Sequence, residues 1–339
     1  MKIKHIIYLL LILTLLNIKL NAQDPIFVSN RACSKVYNPA VYGLLENFGV
    51  SFNYRHLYPI LNTRFSEYSF NTDLRLNEKS NSTNDGLIIG TGINASRYFE
   101  SSGALQTNQA NINLSVTHII NRHRNFFSFG LRGGIINKAL DRNNLIFSDQ
   151  LDPVLGNIYQ SSILYDETKK ITTHDIGAGF CLYLEDLLFY YQLIELSVNH
   201  ISYPNVSFDD NDVYRFPALF TFSYTSAIKI DRGQTNGVYL LKPKVFYSYQ
   251  KKNSNLIVGT DFAIQMFTLG ANLRLRNLEI KENQTFINLS TAFNAKNFSL
   301  IYNFEFPFTN SISAMGIHEI SLNFYIENNN NMNINDIDF

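Results

Sequence analysis

Phe267-Thr268-Leu269-Gly270-Ala271-Asn272-Leu273-Arg274-Leu275-Arg276 alternates without a break. Phe267, Leu269, Ala271, Leu273 and Leu275 fall on one face of an extended chain. Thr268, Gly270, Asn272, Arg274 and Arg276 fall on the other. A period of two marks a strand with one apolar and one polar face. Its length is about that of a tilted strand crossing a bilayer, roughly 9–11 residues.

The pattern recurs on both sides of this stretch. Tyr68, Phe70, Thr72, Leu74 and Leu76 alternate with Ser69, Asn71, Asp73 and Arg75. Ile320, Leu322, Phe324 and Ile326 alternate with Glu319, Ser321, Asn323 and Tyr325. Strands are predicted over 48–58, 66–76, 86–98, 109–120, 125–140, 174–184, 187–201, 215–230, 238–251, 255–264, 267–276, 285–295, 297–307 and 317–326. That makes about 14, an even number, as single-chain bacterial barrels have. The division between 255–264 and 267–276 is the least marked, since no Gly or Pro stands there.

Export precedes these strands. Met1-Lys2-Ile3-Lys4, an apolar run from Ile6 to Leu16 and the small residue Ala22 have the layout of a secretory signal peptide over 1–22, with Gln23 first in the mature chain. No later run is long enough for a transmembrane helix. A chain that spans without helices must close into a barrel, because lipid leaves the backbone no other hydrogen-bonding partner. The expected class is therefore all-β, a transmembrane antiparallel β-barrel of the outer-membrane type. Residues 23–47, with Pro25 and Pro39, read as an irregular lead-in, periplasmic or plug-like. The barrel covers 48–326, and 327–339 is an Asn-rich tail.

Connections supply a direction. Counted from a periplasmic start, the outward ones are 59–65, 99–108, 141–173, 202–214, 252–254, 277–284 and 308–316, averaging about 12 residues. The inward ones average about four. Long outer loops and short periplasmic turns are the habit of outer-membrane barrels. Arg75, Arg274, Arg276, Glu305 and Glu319 lie on polar faces near mid-strand. Lipid makes a charge at that depth costly, so these side chains are expected in the lumen.

Composition excludes some roles. Lys plus Arg and Asp plus Glu both number 28, so nothing suggests nucleic acid. The 27 Phe and 20 Tyr suit strands and a membrane boundary. An AT-rich genome would raise Phe, Tyr and Asn as well. Cys33 and Cys181 are expected to remain unpaired thiols. The seven His are scattered, with no zinc spacing, and no phosphate-binding glycine loop is present. A barrel enzyme would need a pairing such as Ser148 or Asp149 with His174, and nothing in the spacing favours one. No enzyme activity and no cofactor are expected.

Several short motifs, in order, resemble a known family. Pro25-Ile26-Phe27 is followed by Asn38-Pro39-Ala40 and Gly43, and Tyr54-Arg55 stands in the first strand. Phe129-Gly130-Leu131-Arg132-Gly133-Gly134 leads to Phe147-Ser148-Asp149-Gln150. Leu196-Ser197-Val198-Asn199-His200 and His318-Glu319-Ile320-Ser321-Leu322 complete the series. The set resembles the PorP/SprF family of Bacteroidetes outer-membrane proteins. His56 and the Asn-rich tail depart from the usual pattern. The resemblance implies a non-catalytic outer-membrane component of the type IX secretion system, or an accessory to it. It would support secretion or surface attachment of a large adhesin or gliding protein. Implied partners are outer-membrane lipid, the secreted adhesin-type protein and periplasmic or peptidoglycan-associated secretion-system proteins. The strand pattern by itself also admits a porin or transporter for small solutes.

Overall fold

The computed structural model describes residues 24, 26–28, 33–44, 46–57, 65–77, 86–100, 104–120, 125–141, 145, 150–152, 156–157, 159, 168–185, 191–208, 213–230, 239–278, 281–308 and 316–326. The signal peptide, Pro25, Phe147, Ser148, Asp149 and the tail 327–339 lie outside them.

The strands are β1 (Phe48–Leu57), β2 (Phe65–Arg75), β3 (Leu87–Glu100), β4 (Leu105–Ile119), β5 (Phe126–Leu140), β6 (Leu151–Asp152), β7 (Gly156–Asn157), β8 (Lys169–Leu184), β9 (Tyr191–Asn199), β10 (Leu219–Lys229), β11 (Tyr239–Gln250), β12 (Asn253–Ile264), β13 (Phe267–Leu278), β14 (Lys281–Ala295), β15 (Phe298–Pro307) and β16 (Ile317–Ile326). All but β6 and β7 form one closed antiparallel barrel, in which each strand pairs with its neighbour in the barrel. The seam is β1 on β16, with Phe48 opposite Ile326 and Leu57 opposite Ile317. Closure leaves no unpaired edge, which is the condition for crossing lipid with strands. The short pair β6–β7 sits apart, between β5 and β8.

Burial is inverted relative to a soluble sheet. Phe52, Phe70, Ile112, Leu114, Leu131, Leu269 and Phe324 are exposed on the outside. Asn53, Asn71, Asn113, Ser128, Asn272, Asn288 and Ser321 are buried within. A band of apolar exterior around a polar interior is the signature of a membrane barrel. Inside, amides join neighbouring strands as rungs. Asn94 donates to Asn71 at 2.7 Å, Asn111 to Asn94 at 3.0 Å, and Asn272 to Asn288 at 2.8 Å. The abundance of Asn thus has a structural use, joining neighbouring strands by side-chain hydrogen bonds across the barrel interior.

Each of the fourteen expected barrel strands is present, with shifted ends. β8 begins at Lys169, so the long connection is 141–168 and not 141–173. Its first residues pair with the end of β5, Lys169 opposite Leu140 and Thr173 opposite Ile136. Lys and Thr there break the apolar alternation because this part stands beyond the apolar band. Residues 215–218 do not start β10. Pro217 has no N–H for a ladder, and Phe216 instead donates to Pro204 O at 2.8 Å. The unmarked division holds without Gly or Pro: Gln265 turns the chain at φ 51° between β12 and β13.

One rim carries Phe48 and Ile326, the chain ends of the barrel; call it the near rim. The connections 141–168 and 200–218 stand on the far rim. Each is longer than any on the near rim, where 76–86 is the longest. The far rim also holds the two-residue turn 251–252, and only two residues separate β13 from β14 there, so the asymmetry rests chiefly on those two long connections.

Candidate functional site: the barrel lumen

The described residues between Asp24 and Asn47 run inside the barrel from the far rim to the near rim. At the far rim Asp24 meets Gln250 at the end of β11: its N–H donates to Gln250 Oε1 at 2.7 Å, and Gln250 Nε2 donates back to Asp24 Oδ2 at 3.0 Å. At the near rim Asn47 N–H reaches Ile326 O at 3.2 Å, and its carbonyl accepts from Arg75 N–H at 2.9 Å. Ile26, Phe27, Val28, Ala40 and Tyr42 lie between, all fully buried. Burying an apolar side chain of this size stabilises by roughly 1.5–3 kcal/mol.

The path contains a short helix, α1 (Ser34–Tyr37), and a 3₁₀ turn, Pro39–Val41. Asn38 caps that turn by accepting from Ala40 N–H at 2.9 Å, and Pro39 stands at its first position, where no N–H is needed. The Asn38 amide also donates to Phe180 O in the wall at 3.1 Å. Gly130 of β5 and Gly179 of β8 are opposite one another in register. A Cβ on Gly130 would come within 2.3 Å of the Pro39 carbonyl carbon, and one on Gly179 within 2.0 Å of Asn38 Oδ1. The paired glycines make the gap into which Asn38-Pro39-Ala40 fits.

Polar groups of the wall bind the backbone of this segment. Arg132 donates to Val36 O at 2.7 Å and to Lys35 O at 3.1 Å, and is oriented by Asn113 and Asn199. Asn199 donates to Tyr37 O at 2.8 Å, Ser128 to Ala40 O at 2.7 Å and Ser115 to Tyr42 O at 2.6 Å. Gly43 N–H donates to Asp73 at 2.5 Å, while Arg75 donates to Gly43 O at 2.8 Å and Leu44 O at 2.6 Å. Ser34 hydrogen-bonds Glu195. An irregular segment needs such partners, because its backbone cannot satisfy itself.

Charges are paired across the interior. Lys35 lies 2.8 Å from Glu46 and 3.0 Å from Asp73. Burial disfavours the Lys35 ammonium, but the carboxylates of Asp73 and Glu46 outweigh it and raise the pKa. Arg55 meets Glu319 at 3.0 Å, and both Glu319 oxygens accept from Val28 N–H at 2.9 Å. Arg274 meets Glu305 at 3.2 Å. At the far rim, His200 Nε2 is 2.8 Å from Asp24 and Nδ1 is 3.0 Å from Asp175. Burial pulls the His200 pKa down, but Asp24 and Asp175 push it up to about 9.

The residues singled out from sequence separate into groups. Phe27, Asn38, Pro39, Ala40 and Gly43 all belong to the inner segment. Arg55, Arg75, Arg274, Glu305 and Glu319 sit within the barrel; Arg276, at the end of the same face, is half-buried. Tyr54 and His318 point outward, Tyr54 against Tyr68 at 5.0 Å and His318 at 2.8 Å from the Tyr302 hydroxyl. Gln150 lies in the connection between β5 and β8, where its carbonyl accepts from Tyr159 N–H. His174 is exposed on the outward face of β8. Both cysteines are free and buried. Sequence reading missed Arg132, Asp73, Gly90 and Gly179 as contacts of the inner segment; only the strand glycines hinted at them.

A family model described as type IX secretion system membrane protein PorP/SprF matches residues 20–324. The chain belongs to the PorP/SprF family. The lumen described above is thus that of a PorP/SprF membrane barrel, and the Asn38-Pro39-Ala40 turn lies well inside the matched region. No curated protein matches this PorP/SprF chain. Solved structures resemble it only distantly. BamA from Haemophilus ducreyi lacking POTRA domains 1–3 has a TM-score of 0.41 at 10% identity, over 83% of this chain and 70% of that one. The β domain of the Bordetella autotransporter BrkA has a TM-score of 0.40 at 8% identity, over 82% and 98%. A Pseudomonas aeruginosa FadL homologue has a TM-score of 0.40 at 10% identity, over 85% and 92%. The barrel assignment rests on the closed strand order, and the functional assignment on the PorP/SprF family.

Proposed function

We propose that this PorP/SprF barrel is a non-catalytic outer-membrane component of type IX secretion, or an accessory to it. It supports secretion or surface attachment of a large adhesin-type protein, and it works through its rims and loops. The observation that carries this reading is the occupied lumen: the described residues of segment 24–47 act as a plug, bound by wall side chains at both rims and at the Asn38-Pro39-Ala40 turn between them. A lumen so filled suits a docking protein better than a diffusion porin. In this reading a cleaved signal peptide delivers the chain to the outer membrane. The near rim faces periplasmic or peptidoglycan-associated partners, and the far rim faces the client.

Cell-surface proteomics of a strain lacking the protein tests the role. The expected result is loss of a large adhesin from the surface, restored by the wild-type gene, with co-purification of secretion-system proteins on the tagged barrel. An unchanged surface proteome combined with altered uptake of small solutes would favour a porin instead.

A further inference from the structure

At the far rim β8 outruns its next neighbour. It pairs with β5 from Lys169 to Tyr183, but with β9 only from Ala178 to Leu184. Past Asn199 the chain turns at His200, φ 61°, and Ile201 N–H donates to Ile176 O at 3.0 Å. The connection that follows then pairs with itself. Val206 N–H donates to Tyr214 O at 2.9 Å, and Phe216 N–H to Pro204 O at 2.8 Å. Val206, Tyr214 and Phe216 pack with Ile136, a buried side chain of β5.

In an antiparallel ladder alternate residues turn both main-chain groups to the same neighbour. Ile176 turns its carbonyl to the β9 side, so His174, Thr172 and Lys170 turn theirs the same way. One contact is made there: Ser202 Oγ donates to His174 O at 3.5 Å. The N–H groups of Lys170, Thr172 and His174, and the carbonyls of Lys170 and Thr172, have no partner among the described residues. All three residues are exposed.

A row of main-chain donors and acceptors is a template for another strand. Side chains would select which one. Ile171 and Thr173 line one side of this edge, half-buried. Lys170 lines the other and forms no ion pair among the described residues. A lysine discourages pairing with a like edge, whereas an acid directly opposite it is favourable.

We propose that the edge Lys170–His174 takes up an extended segment of another protein as an added antiparallel strand. That strand carries an apolar residue opposite Ile171 and an acidic one opposite Lys170. The inference needs only this free edge and does not rest on the secretion role.

Amide hydrogen exchange, read residue by residue by NMR on the full-length barrel in detergent, tests it with acetyl-Thr-Val-Thr-Val-Glu-amide as probe. In the free protein the amides of Lys170, Thr172 and His174 should exchange fast, and those of Ile171 and Thr173, turned to β5, slowly. Saturating peptide should slow the first three at least ten-fold. In fluorescence anisotropy, N-methylation of the central Thr, whose N–H faces Thr172, should weaken binding ten-fold or more. N-methylation of the Val that follows it, whose N–H points away, should not. Thr172→Pro removes one edge donor and leaves the β5 ladder intact, so it should weaken binding similarly, while Thr172→Ala should not. Heat-modifiable migration checks that both variants fold. The proposal is overturned if the three amides are protected without peptide, because the chain itself or a second copy then covers the edge. It is also overturned if the peptide protects none of them, if the two N-methylated peptides bind equally, or if folded Thr172→Pro binds as the wild type does. Equal binding of a peptide with lysine in place of its glutamate would overturn the part given to Lys170.

Discussion

A Cβ atom on Gly43 would lie 2.5 Å from the Cα of Gly90, so the inner segment and the barrel wall meet backbone against backbone. Gly43 also holds φ at +67°, a conformation that side chains disfavour. The contact is tight from the other side too: a Cβ on Gly90 would come within 2.1 Å of Tyr42 O. These two residues, one in an irregular segment and one in β3, fix where the segment crosses the lumen.

Gly90→Ala should therefore loosen the inner segment while the strands persist. The cost expected for forcing a methyl into packed space is about 1–3 kcal/mol. Limited proteolysis should cut within 24–47 faster than in the wild type, while heat-modifiable migration of the barrel is retained. Gly133→Ala is the control, because nothing lies within 4 Å of a Cβ there. Equal cleavage of both variants would count against the Gly43–Gly90 contact.

Removing one member of a buried ion pair strands its partner. Arg274→Met leaves Glu305 inside the barrel without its guanidinium, which should cost roughly 3–5 kcal/mol. The double variant Arg274→Met/Glu305→Leu should recover most of that loss. Urea titration in lipid vesicles, followed by gel migration, measures both. If the double variant is no more stable than the single one, Arg274 and Glu305 are not coupled as their 3.2 Å separation indicates.

His200 gives the latch at the far rim a pH dependence. Its pKa is raised in the folded protein from an ordinary 6.5 to about 9. A raised pKa adds stability that is fully present below the unfolded value and is lost as pH rises through the folded value. The Asp24–His200–Asp175 contact should hold at neutral pH and weaken through about pH 9. Proteolysis near residue 24 should accelerate over that window in the wild type and show no such step in His200→Gln. A step that persists in the variant would remove His200 from the latch.

The barrel was legible in the sequence because alternation is a local signal. Phe267 to Arg276 shows the two faces of β13 without reference to any other strand. The ends were less legible. Lys169 to Thr173 extend β8 with Ile171 as their one apolar residue, so there is no alternation to read. Arg215 and Phe216 look like strand residues until Pro217 ends the ladder. The inner segment was the hardest part. Asn38-Pro39-Ala40 and Gly43 stood out as motifs, yet their partners Gly130, Gly179 and Gly90 lie far along the chain. A glycine in a strand does not say which backbone approaches it. The charges divided similarly: Arg274 and Glu319 were readable as inward, but their pairing with Glu305 and Arg55 depends on the register of neighbouring strands.

Single-channel recording in a planar bilayer tests the central claim, that the barrel is closed by its own residues 24–47. The wild type should insert and stay silent, whereas a variant lacking 24–46 behind the same export signal should give stable openings. A stable open pore in the wild type, with the conductance of the shortened variant, would contradict the account.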